Sequence, residues 1–234
     1  VSEVARLHYR SNGTWTCPIT IRTPYGAGVH GGPYHSQSIE AFYAHVPGLK
    51  VICVATPYDA KGLLKSAIRD PNPVMVLEHK KAYRLYRQEV PEDDYTIPIG
   101  VADVKREGSD ITLVTYGMMV HHSLKAAEAI QAEDGLSVEV IDLRSVKPWD
   151  KERVLESVKK TGKVLIVYED NITGGFGAEV SATIAEEAFD FLDGPIMRVA
   201  SPDVPIAPYA GVLEEYILPN PEKIAEGIRK LAAY

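Results

Sequence analysis

Residues 50–77, KVICVATPYDAKGLLKSAIRDPNPVMVL, decide the fold class. Lys50 to Ala55 is apolar and rich in β-branched residues, the mark of a strand covered on both faces. Asp59 to Ile68 places apolar residues at helical spacing, and Asp59 stands near the start, where a carboxylate complements the helix dipole. Asp70-Pro71-Asn72-Pro73 stops that helix, and Val74 to Leu77 is a second apolar strand. Strand, helix and strand in so short a span imply a parallel crossover, hence a sheet covered by helices.

The same rhythm extends in both directions. Upstream, Ile19 to Arg22 is a short strand, followed by a glycine-rich loop from Thr23 to Tyr34 and a helical pattern from Ser36 to His45. The chain opens with Val1, Val4, Ala5 and Leu7 at helical period, and no capping residue precedes them. It is therefore expected to begin inside an amphipathic helix and to lack an N-terminal part. Downstream, Tyr83 to Gly100 carries Pro91, Glu92, Asp93, Asp94 and Pro98 without an apolar period, as a linker would.

Beyond that stretch, strands at Ile111–Tyr116, Ser137–Leu143, Val164–Tyr168 and Ile196–Val199 alternate with helices. The helices are Val120–Gln131, Asp150–Lys160, Ala178–Phe191 and Pro221–Leu231. The expected fold class is α/β, with two open parallel-sheet units. Their predicted bounds are 1–84 and 109–234, with 85–108 as the linker.

Composition narrows the function classes. The net charge of −7 disfavours a phosphate backbone as partner, so no nucleic acid is expected. Cys17 and Cys53 form neither a disulfide framework nor a zinc motif. No apolar run is long enough to span a membrane and no secretory signal opens the chain, so the expected compartment is cytoplasmic.

Chemistry is expected in loops at the carboxyl ends of strands. The loop Thr23–Ser38 holds four glycines, two prolines, and His30 and His35. His35 precedes the expected helix start at Ser36, where a dipole would favour the neutral imidazole that acid–base work needs. The alternative from the residues alone is that both histidines only bond the loop backbone. Gly174-Gly175-Phe176-Gly177 resembles a phosphate-cradling turn but lacks the spacing of one, and packing or subunit contact is expected there. His121-His122 is expected to be partly solvated.

Longer strings carry a resemblance. His35-Ser36-Gln37-Ser38, Glu40-Ala41-Phe42, Pro47-Gly48-Leu49-Lys50-Val51, Pro57-Tyr58-Asp59-Ala60-Lys61-Gly62 and Glu78-His79-Lys80 are similar to one known pattern. It is the thiamine pyrimidine-binding domain in β subunits of the decarboxylating component of 2-oxoacid dehydrogenases. Val114-Thr115-Tyr116-Gly117, Ile141-Asp142-Leu143-Arg144 and Glu169-Asp170 resemble the transketolase C-terminal-like domain of the same subunits.

The resemblance is nearest to the branched-chain (2-oxoisovalerate) type. The pyruvate type is the alternative, a transketolase or deoxyxylulose-phosphate synthase fragment a more distant one. A non-catalytic dimerisation and core-binding module is the rival reading if the chain is complete as given.

The resemblance implies thiamine-diphosphate-dependent oxidative decarboxylation of a 2-oxoacid, with the acyl group passing to lipoyl on an acyltransferase core. It implies an α subunit bearing the diphosphate and magnesium, β–β contact, and little activity for this chain alone. His35 matches the histidine expected near the cofactor, assisting acylation of the lipoyl group, with His30, Tyr34 and Ser36 supporting it. Ile19, Thr20, Ala67, Asp70 and Asn72 match a potassium site built mainly from backbone oxygens. The glutamate expected to meet the aminopyrimidine ring is not among these residues. Glu214, Glu215, Glu222 and Glu226 are expected to form either an acidic patch that docks the core or a solvated acidic helix face.

Overall fold

The computed structural model describes residues 1–205 and 207–234. Helix α1 (Ser2–Arg10) leads to strand β1 (Thr20–Tyr25), a one-turn helix α2 (Gly32–His35) and a short helix α3 (Glu40–Ala44). Strand β2 (Lys50–Val54), helix α4 (Pro57–Arg69) and strand β3 (Val74–His79) form the expected crossover. Helix α4 starts two residues before Asp59 because the Thr56 hydroxyl accepts the Asp59 N–H at 3.1 Å and Pro57 takes the first turn. Helix α5 (Ala82–Leu85) ends this unit.

The second unit runs β4 (Asp103–Arg106), β5 (Ile111–Thr115), α6 (Met118–Asp134), β6 (Val138–Asp142), β7 (Ser145–Lys147), α7 (Lys151–Thr161) and β8 (Val164–Asn171). Helix α8 (Phe176–Glu187) and a 3-10 turn at Phe189–Phe191 follow. Strand β9 (Met197–Ser201) and helices α9 (Gly211–Ile217) and α10 (Pro221–Ala232) complete it.

One sheet has the order β1-β3-β2-β7 and the other β4-β6-β5-β8-β9. Strands β1, β3 and β2 are parallel, with Thr20 and Lys50 both level with Val74. Every residue of β3, β5 and β6 is buried, which is why they read as largely apolar runs.

Two expectations need correction. The sheets are mixed, because β7 runs antiparallel to β2 and β4 antiparallel to β6. Residues 103–106, expected in the linker, are β4 and belong to the second sheet. Both strands are edges, where pairing rather than two-sided burial holds the segment, and an edge leaves little apolar trace.

Strand β7 also ties the two units together, since it comes from the second and closes the first. Tyr25, Leu49, Cys53 and Leu77 of the first unit share one core with Tyr116, Ile141, Leu143 and Tyr168 of the second. A buried charge cluster reinforces the seam. Asp59, with no exposed surface, accepts from Lys105 Nζ at 2.8 Å and lies 2.8 Å from an Arg144 nitrogen as an ion pair, and Asp103 contacts both cations. Removing one partner would strand a buried charge, which is why such clusters fix a geometry even where their net stabilisation is small.

The Gly174-Gly175-Phe176-Gly177 turn has a packing role, against the ring of Tyr168. A β-carbon at Gly177 would lie 2.1 Å from Tyr168 Cε1, closer than any real contact. Gly177→Ala should therefore destabilise the chain by about 1–3 kcal/mol, because an overpacked core must shift. Thermal melting checks this: a drop of several degrees is expected, and an unchanged Tm would mean the ring yields freely. No helix among the described residues is long and apolar enough to cross a membrane.

Candidate active site

Strand β1 delivers the glycine-rich loop to the carboxyl end of the first sheet. The loop leaves the strand at Tyr25 and returns at Gln37, whose carbonyl accepts the Gly26 N–H at 2.8 Å. Gly26 is required: its φ is +86°, and a β-carbon there would lie 2.1 Å from His79 Nε2. His79, the last residue of β3, meets Tyr25 edge to face at 5.2 Å.

His35 is exposed at the C-terminal end of α2, and Tyr34 beside it is 81 % exposed. The expected helix N-terminus at Ser36 is not formed, since α3 begins only at Glu40. The dipole argument for His35 therefore has no helix to act from. The reason lies in Ser36 and Ser38, whose hydroxyls are engaged elsewhere and compete with helical bonding. Ser36 Oγ accepts the Gly31 N–H at 3.0 Å, and Ser38 donates to Glu169 at 3.1 Å.

Two carboxylates of the second unit hold the loop from behind. Glu169, near the end of β8, accepts the Ala27 N–H at 2.7 Å, the Ser38 hydroxyl at 3.1 Å and lies 2.9 Å from His79 Nε2. Its burial alone would raise its pKa. The charge and hydrogen bond of His79, with the bonds from Ala27 and Ser38, outweigh that and hold it at about 2.

Glu214, on α9, accepts the N–H groups of Gly28 at 2.9 Å and His30 at 3.3 Å and lies 2.8 Å from His30 Nδ1. Glu214 is 2 % exposed, so the expected acidic docking patch loses that member. Glu215, Glu222 and Glu226 are not buried in this way.

Nearer the seam, Glu40 is fully buried and accepts the Tyr116 hydroxyl at 3.0 Å. Burial, and then the Asp170 charge, push its carboxyl up to about 8, so it is protonated at neutral pH.

The residues matched to a cation lie together around the start of β1 and the end of α4. The Ile19 carbonyl accepts from Val74 N and the Ala67 carbonyl from Asp70 N. Asp70 binds the Lys50 ammonium and the Asn72 N–H, and Thr20 opens β1. His121 and His122 are partly solvated, as expected. Both are half-buried, and His121 stacks on Tyr86 at 3.5 Å and contacts the Ala55 carbonyl. No group of three or more His, Cys, Asp and Glu among the described residues could hold a metal ion.

Sequence reasoning singled out His35 and its loop but did not foresee that Glu169 and Glu214 anchor that loop. For Glu169 a signal existed: an acidic pair at the carboxyl end of a buried strand, where such folds place chemistry.

Comparison with known proteins identifies the two units. The transketolase pyrimidine-binding domain family covers residues 1–85 and the transketolase C-terminal domain family residues 100–224. The 2-oxoisovalerate dehydrogenase subunit beta of Bacillus subtilis (strain 168) is 55% identical over 234 residues, all of this chain and 71% of that protein. The pyruvate dehydrogenase E1 component subunit beta of the same organism is 50% identical over 232 residues, 99% of this chain and 70% of that protein.

A solved split gene transketolase, an inactive beta4 tetramer, aligns with a TM-score of 0.75 at 25% identity, over 98% of this chain and 74% of that one. This chain belongs to the β subunits of the 2-oxoacid dehydrogenases, built from a transketolase pyrimidine-binding domain and a transketolase C-terminal domain.

Proposed function

We propose that this chain serves a branched-chain 2-oxoacid dehydrogenase that oxidatively decarboxylates 3-methyl-2-oxobutanoate and passes the acyl group to a lipoyl-bearing acyltransferase core. The carrying observation is the 55% identity across the whole chain to a 2-oxoisovalerate dehydrogenase β subunit. The 50% identity to a pyruvate dehydrogenase β subunit supports pyruvate as the second candidate.

When bound, thiamine diphosphate supplies the electron-sink chemistry, and the protein supplies orientation and electrostatics. The residues present fit one wall of such a site. His35 offers an exposed imidazole on an anchored loop, suited to moving a proton where lipoyl sulfur and acyl group meet. Tyr34 flanks it, while Ser36 and His30 tie it to the anchors. Glu3 is not a partner for the aminopyrimidine ring, being exposed on α1 in an ion pair with Arg10 at 2.8 Å.

The α subunit completes the site with the diphosphate-bound magnesium, and two β chains meet in an α₂β₂ assembly of the cytoplasm. Potassium held by Ile19, Thr20, Ala67, Asp70 and Asn72 stiffens the first unit beneath the loop. The chain alone is inactive in this reading, by analogy with the split gene transketolase, whose beta4 tetramer is inactive.

The test is turnover by the full-length β subunit with its α partner, thiamine diphosphate, magnesium and the core. The kcat/KM for 3-methyl-2-oxobutanoate should exceed that for pyruvate by about 10-fold or more, the scale on which apolar pockets separate substrates differing by methyl groups. A preference for pyruvate would move the assignment to the second candidate.

A further inference from the structure

We propose that Glu214 is a positioning residue for His35, a buried carboxylate on which the active-site loop is assembled. Oε1 accepts the Gly28 N–H at 2.9 Å and the Ser36 hydroxyl at 3.4 Å. Oε2 accepts the His30 N–H at 3.3 Å and meets His30 Nδ1 at 2.8 Å. Three donors and the His30 ring, from three loop residues, converge on one side chain that is 2 % exposed. Ser36, the residue after His35, passes the tether back to the Gly31 N–H at 3.0 Å.

The loop needs such an anchor. Gly28 and His30 both have positive φ, at +79° and +56°, and for histidine that conformation is uncommon and persists only when its surroundings impose it. Glu214 imposes it, by accepting the N–H of both residues. An acceptor-only group suits the position, because the Gly28 and His30 N–H groups and the Ser36 hydroxyl all donate to it. Helix α9 packs directly on the loop, as a β-carbon at Gly211 would lie 3.0 Å from the His30 ring. The C-terminal segment thereby governs a site that sits in the other unit, 186 residues away in sequence.

This inference rests on the assignment of His35 to acyl transfer, and the experiment separates the two. In the assembled complex, Glu214→Gln should lower lipoyl acylation by about 10- to 100-fold, the scale of a misplacement near the reacting centre. The KM for the 2-oxoacid should stay within about 2-fold, because a misplaced acyl-transfer group removes transition-state rather than ground-state interactions.

The double variant His35→Ala/Glu214→Gln should be no slower than His35→Ala alone, since Glu214 acts through His35. Hydrogen exchange across residues 26–38 of the same complex should accelerate in Glu214→Gln, and this readout does not depend on the role of His35. Should Glu214→Gln fail to assemble, Ser36→Ala keeps the carboxylate and removes the link beside His35, with a smaller loss in the same direction.

Unchanged exchange across the loop, or losses that multiply in the double variant, would overturn the proposal. If His35→Ala leaves acylation intact while exchange still rises in Glu214→Gln, the anchor stands and the assignment of His35 falls.

Discussion

Replacing His35 by alanine should reduce acyl transfer to the lipoyl core by about 100-fold or more, the range supplied by a positioned proton-transfer group. The same complex should still decarboxylate its 2-oxoacid with an artificial electron acceptor, to within a few-fold. The split follows from where His35 stands. Its side chain is exposed on the outer side of a loop whose backbone is fixed from behind by Glu169 and Glu214. It is therefore open to an incoming group, which the proposed function takes to be a lipoyl arm, and it carries no load in the core.

For the same reason the fold should not notice the change: surface substitutions of this kind shift stability by less than about 0.5 kcal/mol. Parallel melting curves and the two activity assays decide the matter. Equal loss in both assays would place His35 in decarboxylation instead, and no loss in either would remove it from the site.

Strands β2, β3, β5, β6 and β8 were legible because burial on both faces forces a largely apolar, β-branched sequence. Strands β4 and β7 were not. Asp103-Val104-Lys105-Arg106 and Ser145-Val146-Lys147 become strands only by pairing with β6 and β2, a tertiary cause that local sequence does not carry. Helix ends were legible where a cap is spelled out, as at Asp150, whose carboxylate accepts the Arg153 N–H.

The helix expected from Ser36 starts four residues later, at Glu40, because Ser36 and Ser38 bond to partners far away in sequence. The candidate site divides in the same way. His35 sits in a local string that resembles a known pattern, whereas the Ala27–Glu169 and Gly28–Glu214 bonds join residues 142 and 186 positions apart. Glu214 also lay in a run of glutamates that read as a solvated face, and only the seating of α9 on the loop turns it inward.

Glu40→Gln should stabilise the chain at alkaline pH while leaving it nearly unchanged near pH 6. Glu40 is fully buried between the two units, and its Oε2 has no partner among the described residues. Its carboxyl stands at about 8 when folded, against an ordinary 4.5. A folded pKa above the unfolded one means that the native state holds the proton more tightly. That advantage is complete below pH 4.5 and disappears as the pH rises through 8.

The shift corresponds to about 5 kcal/mol as an upper bound, and relaxation or water entry would leave a few kcal/mol. Asp142, fully buried and raised to about 7 by burial, acts in the same direction. Glu169, held at about 2, affects only the acid side, below pH 4.5. The native chain should therefore lose thermal stability between pH 6 and 9, by roughly 5–10 °C on the usual scale for a chain of this size.

Glutamine matches the neutral acid in shape, still accepts from Tyr116, and has no proton to lose. Melting curves at pH 6 and 9 for both proteins test this. A flatter pH dependence in Glu40→Gln is expected, and an identical slope would mean that Glu40 does not hold its proton in the folded chain.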